Sequence, residues 1–223
     1  MKTILGMTLV NLRNSKNAYL VGGIIVLLGL LDPIIWAIMS FPSGDNSLAV
    51  GNYLFLLPLF MAIFTPAQNF SKLMNLGGKR MDFFKSGILV YGIASAAVSL
   101  AALILYYSFD RAFTILSLYD VFGFMRHGPV TAFFQMTVFL SLFCAILHTL
   151  TLSQGRWYGW AADIAIVAII SVFTPIAPLR AVLRWFFTMI IFHEAAVVQI
   201  LSCAVLGAVI YCGSLIPIKT RGI

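Results

Sequence analysis

Long apolar segments alternate with short polar segments along the whole chain, and this pattern predicts membrane-spanning helices. Each of the apolar segments comes close to the roughly 20 residues that an α-helix needs to cross a bilayer. Six spans are expected, at residues 18–40, 48–66, 86–108, 130–152, 161–176 and 195–216. A β-barrel is disfavoured because its strands alternate apolar and polar positions over about ten residues. The sequence therefore predicts an all-α polytopic membrane protein, with residues 1–223 as one transmembrane domain.

Two other segments carry apolar residues but do not form a full span. In residues 1–17, Ile4 and Leu5 belong to an apolar set at helical spacing between basic residues, which predicts an amphipathic helix lying in the interface. Residues 179–193 hold two arginines beside a short apolar run. We expect this run to form an outer hairpin between the fifth and sixth spans, either re-entrant or interfacial.

Composition supports the membrane interpretation and sets an orientation. The chain is 61% hydrophobic and 9% charged, whereas about a quarter of the residues in soluble domains are charged. The net charge of +7 is attributed to basic cytoplasmic loops and anionic lipids, not to nucleic acid. With six spans, ten of the fourteen Lys and Arg residues lie on the side of the termini: Lys2, Arg13, Lys16, Lys72, Lys79, Arg80, Lys85, Arg156, Lys219 and Arg221. Both termini are therefore expected to be cytoplasmic, in a multi-pass protein of the cell membrane.

The most strongly charged stretch is residues 69–86, between the second and third spans. Phe70, Leu73 and Met74 fall on one helical face, which predicts a short helix at the membrane surface. Gly77 and the glycine after it are expected to end this helix, because glycine readily takes the left-handed conformation. Asp82 is expected to cap the next helix. A plain basic loop is the alternative, and charge alone does not distinguish the two.

Motifs for catalysis are absent from the sequence. His193-Glu194 lacks the second histidine of a zinc-protease motif, since Val197 stands at that position, and no phosphate-binding loop occurs. The chain is therefore expected not to be an enzyme and to bind no cofactor or metal. Asp32 and Glu194 are candidate transport-pathway residues. The alternatives are that Asp32 caps a helix broken by the proline after it, and that Glu194 favours the dipole of the last span.

The run Leu-Gly-Gly-Lys-Arg-Met-Asp-Phe-Phe at residues 76–84 is similar to the L-G-x-x-R-x-x-[FY]-[FY] pattern of small permeases of Gram-positive bacteria. Together with the six spans, the N-terminal helix and the outer hairpin, it makes the chain resemble an ABC-2 type transporter permease. The resemblance implies a coupling helix that docks on a separate ATPase, which binds ATP and Mg. The residues implied in that contact are Phe70, Lys72, Leu73, Met74, Asn75, Lys79 and Arg80.

The resemblance also implies an assembly and a cargo. Two ATPase subunits would drive alternating access in a pair of permeases, formed by two copies of this chain or by this chain and a paralogue. The cargo would be an amphipathic peptide, a lipid-like molecule or a drug, as in exporters of bacteriocins and phenol-soluble modulins. An ion-coupled transporter is the alternative, with Asp32, His148 and Asp163 as its candidate ionisable groups. A membrane assembly protein or an intramembrane enzyme is the third hypothesis.

Overall fold

The computed structural model describes residues 2–38, 49–110 and 116–220, and almost all of these residues are helical. The α-helices in these ranges are α1 (Lys2–Asn14), α2 (Lys16–Ile38), α3 (Val50–Leu54), α4 (Leu56–Phe64), α5 (Phe70–Asn75), α6 (Arg80–Leu105), α7 (Leu118–Val121), α8 (Pro129–Ser153), α9 (Trp157–Phe173), α10 (Ala177–Phe187), α11 (Ala196–Gly213) and α12 (Leu215–Thr220). Three π-helical turns, Thr65–Asn69, Tyr106–Asp110 and Thr188–Phe192, and one 3-10 turn, Phe124–His127, complete the helical structure.

Within the described ranges, four helical segments are long and apolar enough to cross a membrane: Val50–Asn75, Arg80–Ser108, Pro129–Ser153 and Ala196–Thr220. Two bent pairs raise the number to six if each pair is one span. The prediction of an all-helical chain with several apolar helices is confirmed, and a membrane protein is consistent with these lengths. The closest agreement in bounds is α8, which differs from the predicted residues 130–152 by one residue at each end.

The two bent pairs fall where the sequence predicted special elements. The helix Ile4–Asn14 meets Lys16–Leu31 at 47°, so the N-terminal helix forms as expected but leads into α2 after a single residue. Trp157–Phe173 meets Ala177–Phe192 at 116°, which is the geometry of a broken span or a re-entrant hairpin. Proline at the second position of α10 suits a helix start, because the first turn has no partner for its N–H groups.

The second predicted span continues past its expected end. It was expected to stop at Pro66, but helical structure runs on from α4 through a π-helical turn into α5. The short surface helix predicted after this span, α5, is therefore an extension of it, with no loop between them. A proline inside an α-helix removes one hydrogen bond and presses its ring against the carbonyl four residues earlier. The wider π-helical turn at Thr65–Asn69 accommodates Pro66 in the helical path.

The core of the bundle is built around α8, which packs against α4, α6 and α11. One apolar cluster lies at the end where α5 and the start of α6 meet, and a second lies towards α7 and the 3-10 turn. By contrast, Gly159 is the only buried residue of α9, and α10 has none. The bent pair formed by α9 and α10 thus leaves nearly all of its apolar surface uncovered by the rest of the described chain.

Candidate coupling surface

The short helix α5 is fixed to the bundle by the three apolar residues that the sequence had placed on one face. Phe70, Leu73 and Met74 are at most 8% exposed and belong to the apolar cluster around the start of α6. The Phe70 ring lies edge-on to that of Phe83, with centroids 5.2 Å apart. Burying each such side chain contributes about 1.5–3 kcal/mol. These residues therefore anchor α5 within this chain, and they are not available on its surface.

The face of α5 that remains outside is polar with one large apolar residue at its end. Lys72 and Asn75 are exposed, and Leu76 is 83% exposed, the highest value among the exposed large hydrophobic residues of the described chain. The expected contact set of Phe70, Lys72, Leu73, Met74 and Asn75 is thus divided between anchoring and outward residues. We use the name outer face of α5 for Lys72, Asn75 and Leu76.

The end of α5 is a complete Schellman motif, as the two glycines suggested. Gly77 has a φ of 81°, and its N–H donates to the Met74 carbonyl at 3.0 Å. The N–H of Gly78 donates to the Leu73 carbonyl at 2.9 Å. A Cβ at Gly78 would lie 2.7 Å from that carbonyl oxygen, so only glycine fits there. These bonds satisfy carbonyls at the helix end and fix the direction in which the chain turns into α6.

Five buried polar residues join α1 to both sides of α5, and we call them the polar clamp: Asn11, Ser15, Thr65, Asn69 and Ser86. Asn11 is its centre, since its Nδ2 donates to Ser86 Oγ at 3.1 Å and its Oδ1 accepts from Asn69 Nδ2 at 3.2 Å. Ser15 Oγ donates to the Asn11 carbonyl at 2.7 Å and lies 3.2 Å from Thr65 Oγ1.

Sequence reasoning missed the polar clamp. It interpreted α1 from its apolar residues, yet Leu5 and Leu9 are each 60% exposed. The side of α1 that faces the bundle carries buried polar residues between the partly buried Met7 and Leu12. The signal was present, because Thr8, Asn11 and Ser15 follow one another at spacings of three and four and so share a helical face. All three are buried in the structure.

The start of α6 is tied to the C-terminal part of the described chain. The Arg80 guanidinium donates to the carbonyls of Ile218, at 3.2 Å, and Lys219. Arg156 Nη2 donates to the Thr220 carbonyl at 2.8 Å. A cation suits this place, since the last carbonyls of a helix carry partial negative charge. The turns after α5 and α8 therefore meet α12 at one end of the bundle.

The other predicted site residues are dispersed. Lys79 is exposed and precedes the first residue of α6, while Arg80 is held against α12. Asp82 does not cap α6 but lies in its first turn, where its charge favours the helix dipole. The Asp32 side chain is outside the described part of the structure. Glu194 is exposed at the opposite end of the bundle, two residues before α11 begins at Ala196. The N-cap of that helix is Ala195, so Glu194 neither caps it nor lies near α5.

An apolar groove of about 310 Å³ runs between α6, α8 and α11. Its lining is mostly small or aliphatic, with the two phenols of Tyr91 and Tyr211 at one side. Behind these phenols, His148 is fully buried, and its Nδ1 lies 2.8 Å from Tyr91 Oη. Its Nε2 has no hydrogen-bond partner among the described residues. The groove is suited to an aliphatic chain or an apolar side chain, since it offers few polar atoms.

The described residues contain no group of three or more His, Cys, Asp or Glu side chains placed to hold a metal ion. Comparison of this chain with protein family models, with curated proteins and with solved structures gives no match. The function is therefore inferred from the arrangement of its own residues.

Proposed function

We propose that this chain is the membrane subunit of an ATP-driven exporter of the ABC-2 type, and that the outer face of α5 docks on a separate ATPase. The observation that carries the proposal is the way α5 is mounted. Phe70, Leu73 and Met74 are buried against the rest of the bundle and anchor the helix. Lys72, Asn75 and an almost fully exposed Leu76 project from the end of the bundle. An ordinary basic loop has no need of a helix fixed in this way.

The attachments of α5 support a role in transmitting movement. The polar clamp connects it to α1, and the Schellman motif connects it to α6, whose first residue Arg80 is bonded to α12. A displacement of α5 would therefore reach α1 and α6 through these contacts, and α12 through α6. In this proposal, α5 and both termini face the cytoplasm of the cell, and the spans tilt when ATP binds to a pair of ATPase subunits.

The proposed cargo is amphipathic or hydrophobic. The groove between α6, α8 and α11 offers an apolar lining within helices long enough to cross a membrane. Such a lining favours lipid-like molecules, drugs or apolar peptide side chains over sugars and ions. The uncovered surface of α9 and α10 leaves room for a second permease copy or a paralogue, as the exporter assembly requires.

The test compares variants of the outer face of α5 with matched controls. The tagged chain is purified from its host membranes in mild detergent, and we expect a P-loop ATPase to co-purify at about one copy per chain. Replacing Lys72→Glu and Leu76→Asp together should abolish both this association and ATP-dependent cargo export from cells. Lys85→Glu, an exposed lysine at the same end but outside α5, should leave both unchanged.

Leu73→Ala separates anchoring from docking. Leu73 is buried, so this variant should lower the thermal unfolding midpoint, whereas the double variant of the outer face should not. Retained association and export in a correctly folded Lys72→Glu, Leu76→Asp variant would refute the docking role. Transport by purified protein in vesicles that follows a pH gradient without ATP would refute the exporter function.

One observation favours ion-coupled transport as a second candidate. His148 is an ionisable group buried in α8 beside Tyr91, with one ring nitrogen unpartnered in the described structure. Intramembrane ionisable residues often belong to proton pathways. Under this hypothesis, His148→Phe abolishes transport, whereas under the exporter hypothesis a folded His148→Phe chain keeps ATP-dependent transport.

A further inference from the structure

A polar cavity of about 350 Å³ lies at the end of the bundle opposite to α5. Its walls come from the turns that precede α8 and α11, and its volume falls in the range of about 300–1,000 Å³ typical of ligand pockets. None of its residues belongs to the proposed coupling surface, and the apolar groove is lined by other residues.

The floor of the cavity holds a buried amide with an unused acceptor. Gln135 is 2% exposed and lines the cavity from α8, six residues after the helix begins at Pro129, or about 9 Å along its axis. Its Oε1 has no hydrogen-bond partner among the described residues. A buried polar group without a partner destabilises the fold, so a molecule that donates a hydrogen bond here is favoured in binding.

The rim supplies both kinds of charge. Arg126, from the 3-10 turn, offers only N–H donors, and Glu194, just before α11, offers only acceptors. They form no ion pair with each other in the part of the chain that the structure describes, so both charges remain available.

His193 adds a donor, and its backbone contact determines which ring nitrogen carries the proton. The N–H of Ala195 donates to His193 Nδ1 at 3.1 Å, so in the neutral ring the proton is on Nε2. His193 lines the cavity, so this N–H donor belongs to its wall. The rings of Phe122 and Phe192, with centroids 6.2 Å apart, form an apolar part of the wall.

We propose that this cavity binds a zwitterion that carries a primary ammonium group beside an anionic group. The ammonium donates to Gln135 Oε1 and to the Glu194 carboxylate, and the anionic group accepts from Arg126 and from His193 Nε2–H. Two sources supply this chemistry: the headgroup of an ethanolamine phospholipid, or a small free molecule of the same kind. The binding requires no ATPase, so it stands or fails separately from the exporter function.

The test uses the purified full-length chain in a maltoside detergent, titrated calorimetrically with two soluble probes. Ethanolamine phosphate should bind saturably at one site. Choline phosphate should bind at least tenfold more weakly, because its trimethylated nitrogen has no N–H for Gln135 Oε1. Gln135→Met keeps the length of the side chain but removes the acceptor, so it should lower the affinity for ethanolamine phosphate at least tenfold. Arg126→Gln should lower this affinity by a similar factor.

Arg184→Gln is the matched control, since Arg184 is an exposed arginine of α10 that does not line the cavity. This variant should bind ethanolamine phosphate with the same affinity as the unmodified chain. Elution volume and thermal midpoint establish that each variant is folded. If Gln135→Met does not fold, Glu194→Gln provides the same comparison on an exposed side chain.

A second arm distinguishes the sources. The chain is reconstituted in nanodiscs of phosphatidylethanolamine or phosphatidylcholine, and the lipids that it retains are counted by native mass spectrometry. Selective retention of phosphatidylethanolamine, lost in Arg126→Gln, supports the lipid headgroup, and binding of the soluble probe without such retention supports the free molecule. The proposal is overturned if neither arm shows binding, if the ethanolamine and choline probes bind equally, or if the cavity variants bind like Arg184→Gln.

Discussion

Replacing Asn11→Ala removes the centre of the polar clamp and should loosen α5 from the bundle. Asn11 holds α1 to the π-helical turn through Asn69 and to α6 through Ser86. The apolar anchors of α5 are unchanged by this substitution, so the variant isolates the contribution of the polar contacts.

The cost follows from what each partner loses. Asn69 Nδ2 is left buried without the acceptor it has in the structure, which costs about 1–3 kcal/mol. Ser86 loses less, because its Oγ keeps the bond that it donates to the Phe83 carbonyl at 2.8 Å, so about 1 kcal/mol is expected there. The sum is about 2–4 kcal/mol, which lowers the protection of the affected amides by a factor of about 30 to several hundred.

Hydrogen–deuterium exchange followed by mass spectrometry measures this directly on the purified chain in detergent or nanodiscs. Peptides covering residues 65–78 should exchange faster by that factor, while peptides from the middle of α8 should not change. The double variant Asn11→Ala, Asn69→Ala should lose less protection free energy than the sum of the losses in the two single variants. The hydrogen bond between Asn11 and Asn69 is already broken in either single variant.

Asn52→Ala is the matched control at the other end of the bundle. Asn52 also makes two long-range bonds, donating to the Leu116 carbonyl and accepting from the Leu118 N–H, both at 2.9 Å. Its loss should accelerate exchange near α7 and leave residues 65–78 as they were. The reasoning is refuted if Asn11→Ala leaves exchange at residues 65–78 unchanged, or if Asn52→Ala accelerates it equally.

Three further predictions concern other parts of the structure. Gly77→Ala should lower the free energy of unfolding by about 1–2 kcal/mol, because its φ of 81° strains any residue with a Cβ, whereas Gly23→Ala, inside α2 with open space around it, should not lower it. Tyr91→Phe should cost about 1–3 kcal/mol by leaving His148 Nδ1 without its partner, and Tyr91→Phe, His148→Phe together should return to within about 1 kcal/mol of the original chain in equilibrium unfolding. Burial raises the pKa of the Tyr119 phenol above its ordinary value of 10.0, so the folded state holds this proton more tightly than the unfolded state, and stability falls as the pH rises above 10. The thermal midpoint of Tyr119→Phe should therefore fall less than that of the original chain between about pH 9 and pH 11. An equal fall in both would contradict this cause.

Elements governed by local chemistry were predictable from the sequence. The bounds of α8 follow from an apolar run that starts at a Gly-Pro pair and ends at a polar turn. The end of α5 follows from Gly77, since few residues other than glycine take the left-handed conformation without strain. In both cases the residues that decide the structure lie within a few positions of it.

Pro66 was misread because proline has two outcomes in a helix. It ends the helix, or it is accommodated by a local widening, and the sequence around it does not say which. Here the residues after it, Phe70, Leu73 and Met74, have a buried place beside α6, and their burial stabilises a continued helix. That place is built by tertiary packing, which the local sequence does not show.

The polar face of α1 could be found from its spacing, but the partners that complete the polar clamp and the walls of the polar cavity could not, for a related reason. Asn11 meets residues 58 and 75 positions away, and no spacing rule links such positions. The cavity likewise combines Gln135 in α8 with Glu194 before α11, two residues that no local pattern links. Contacts of this kind depend on which helices become neighbours.

The two surfaces proposed to meet other molecules both adjoin π-helical turns, and this has a physical consequence. Thr65–Asn69 leads into α5, and Thr188–Phe192 ends beside the polar cavity. On one side of each turn lies an α-helix that packs on α8, namely α4 before Thr65–Asn69 and α11 after Thr188–Phe192. A π-helical turn has a wider and less regular hydrogen-bond pattern than an α-helix, and such turns occur often at functional sites. If docking displaces α5, the deformation should therefore fall in Thr65–Asn69, and exchange in α4 should remain slow while that turn accelerates.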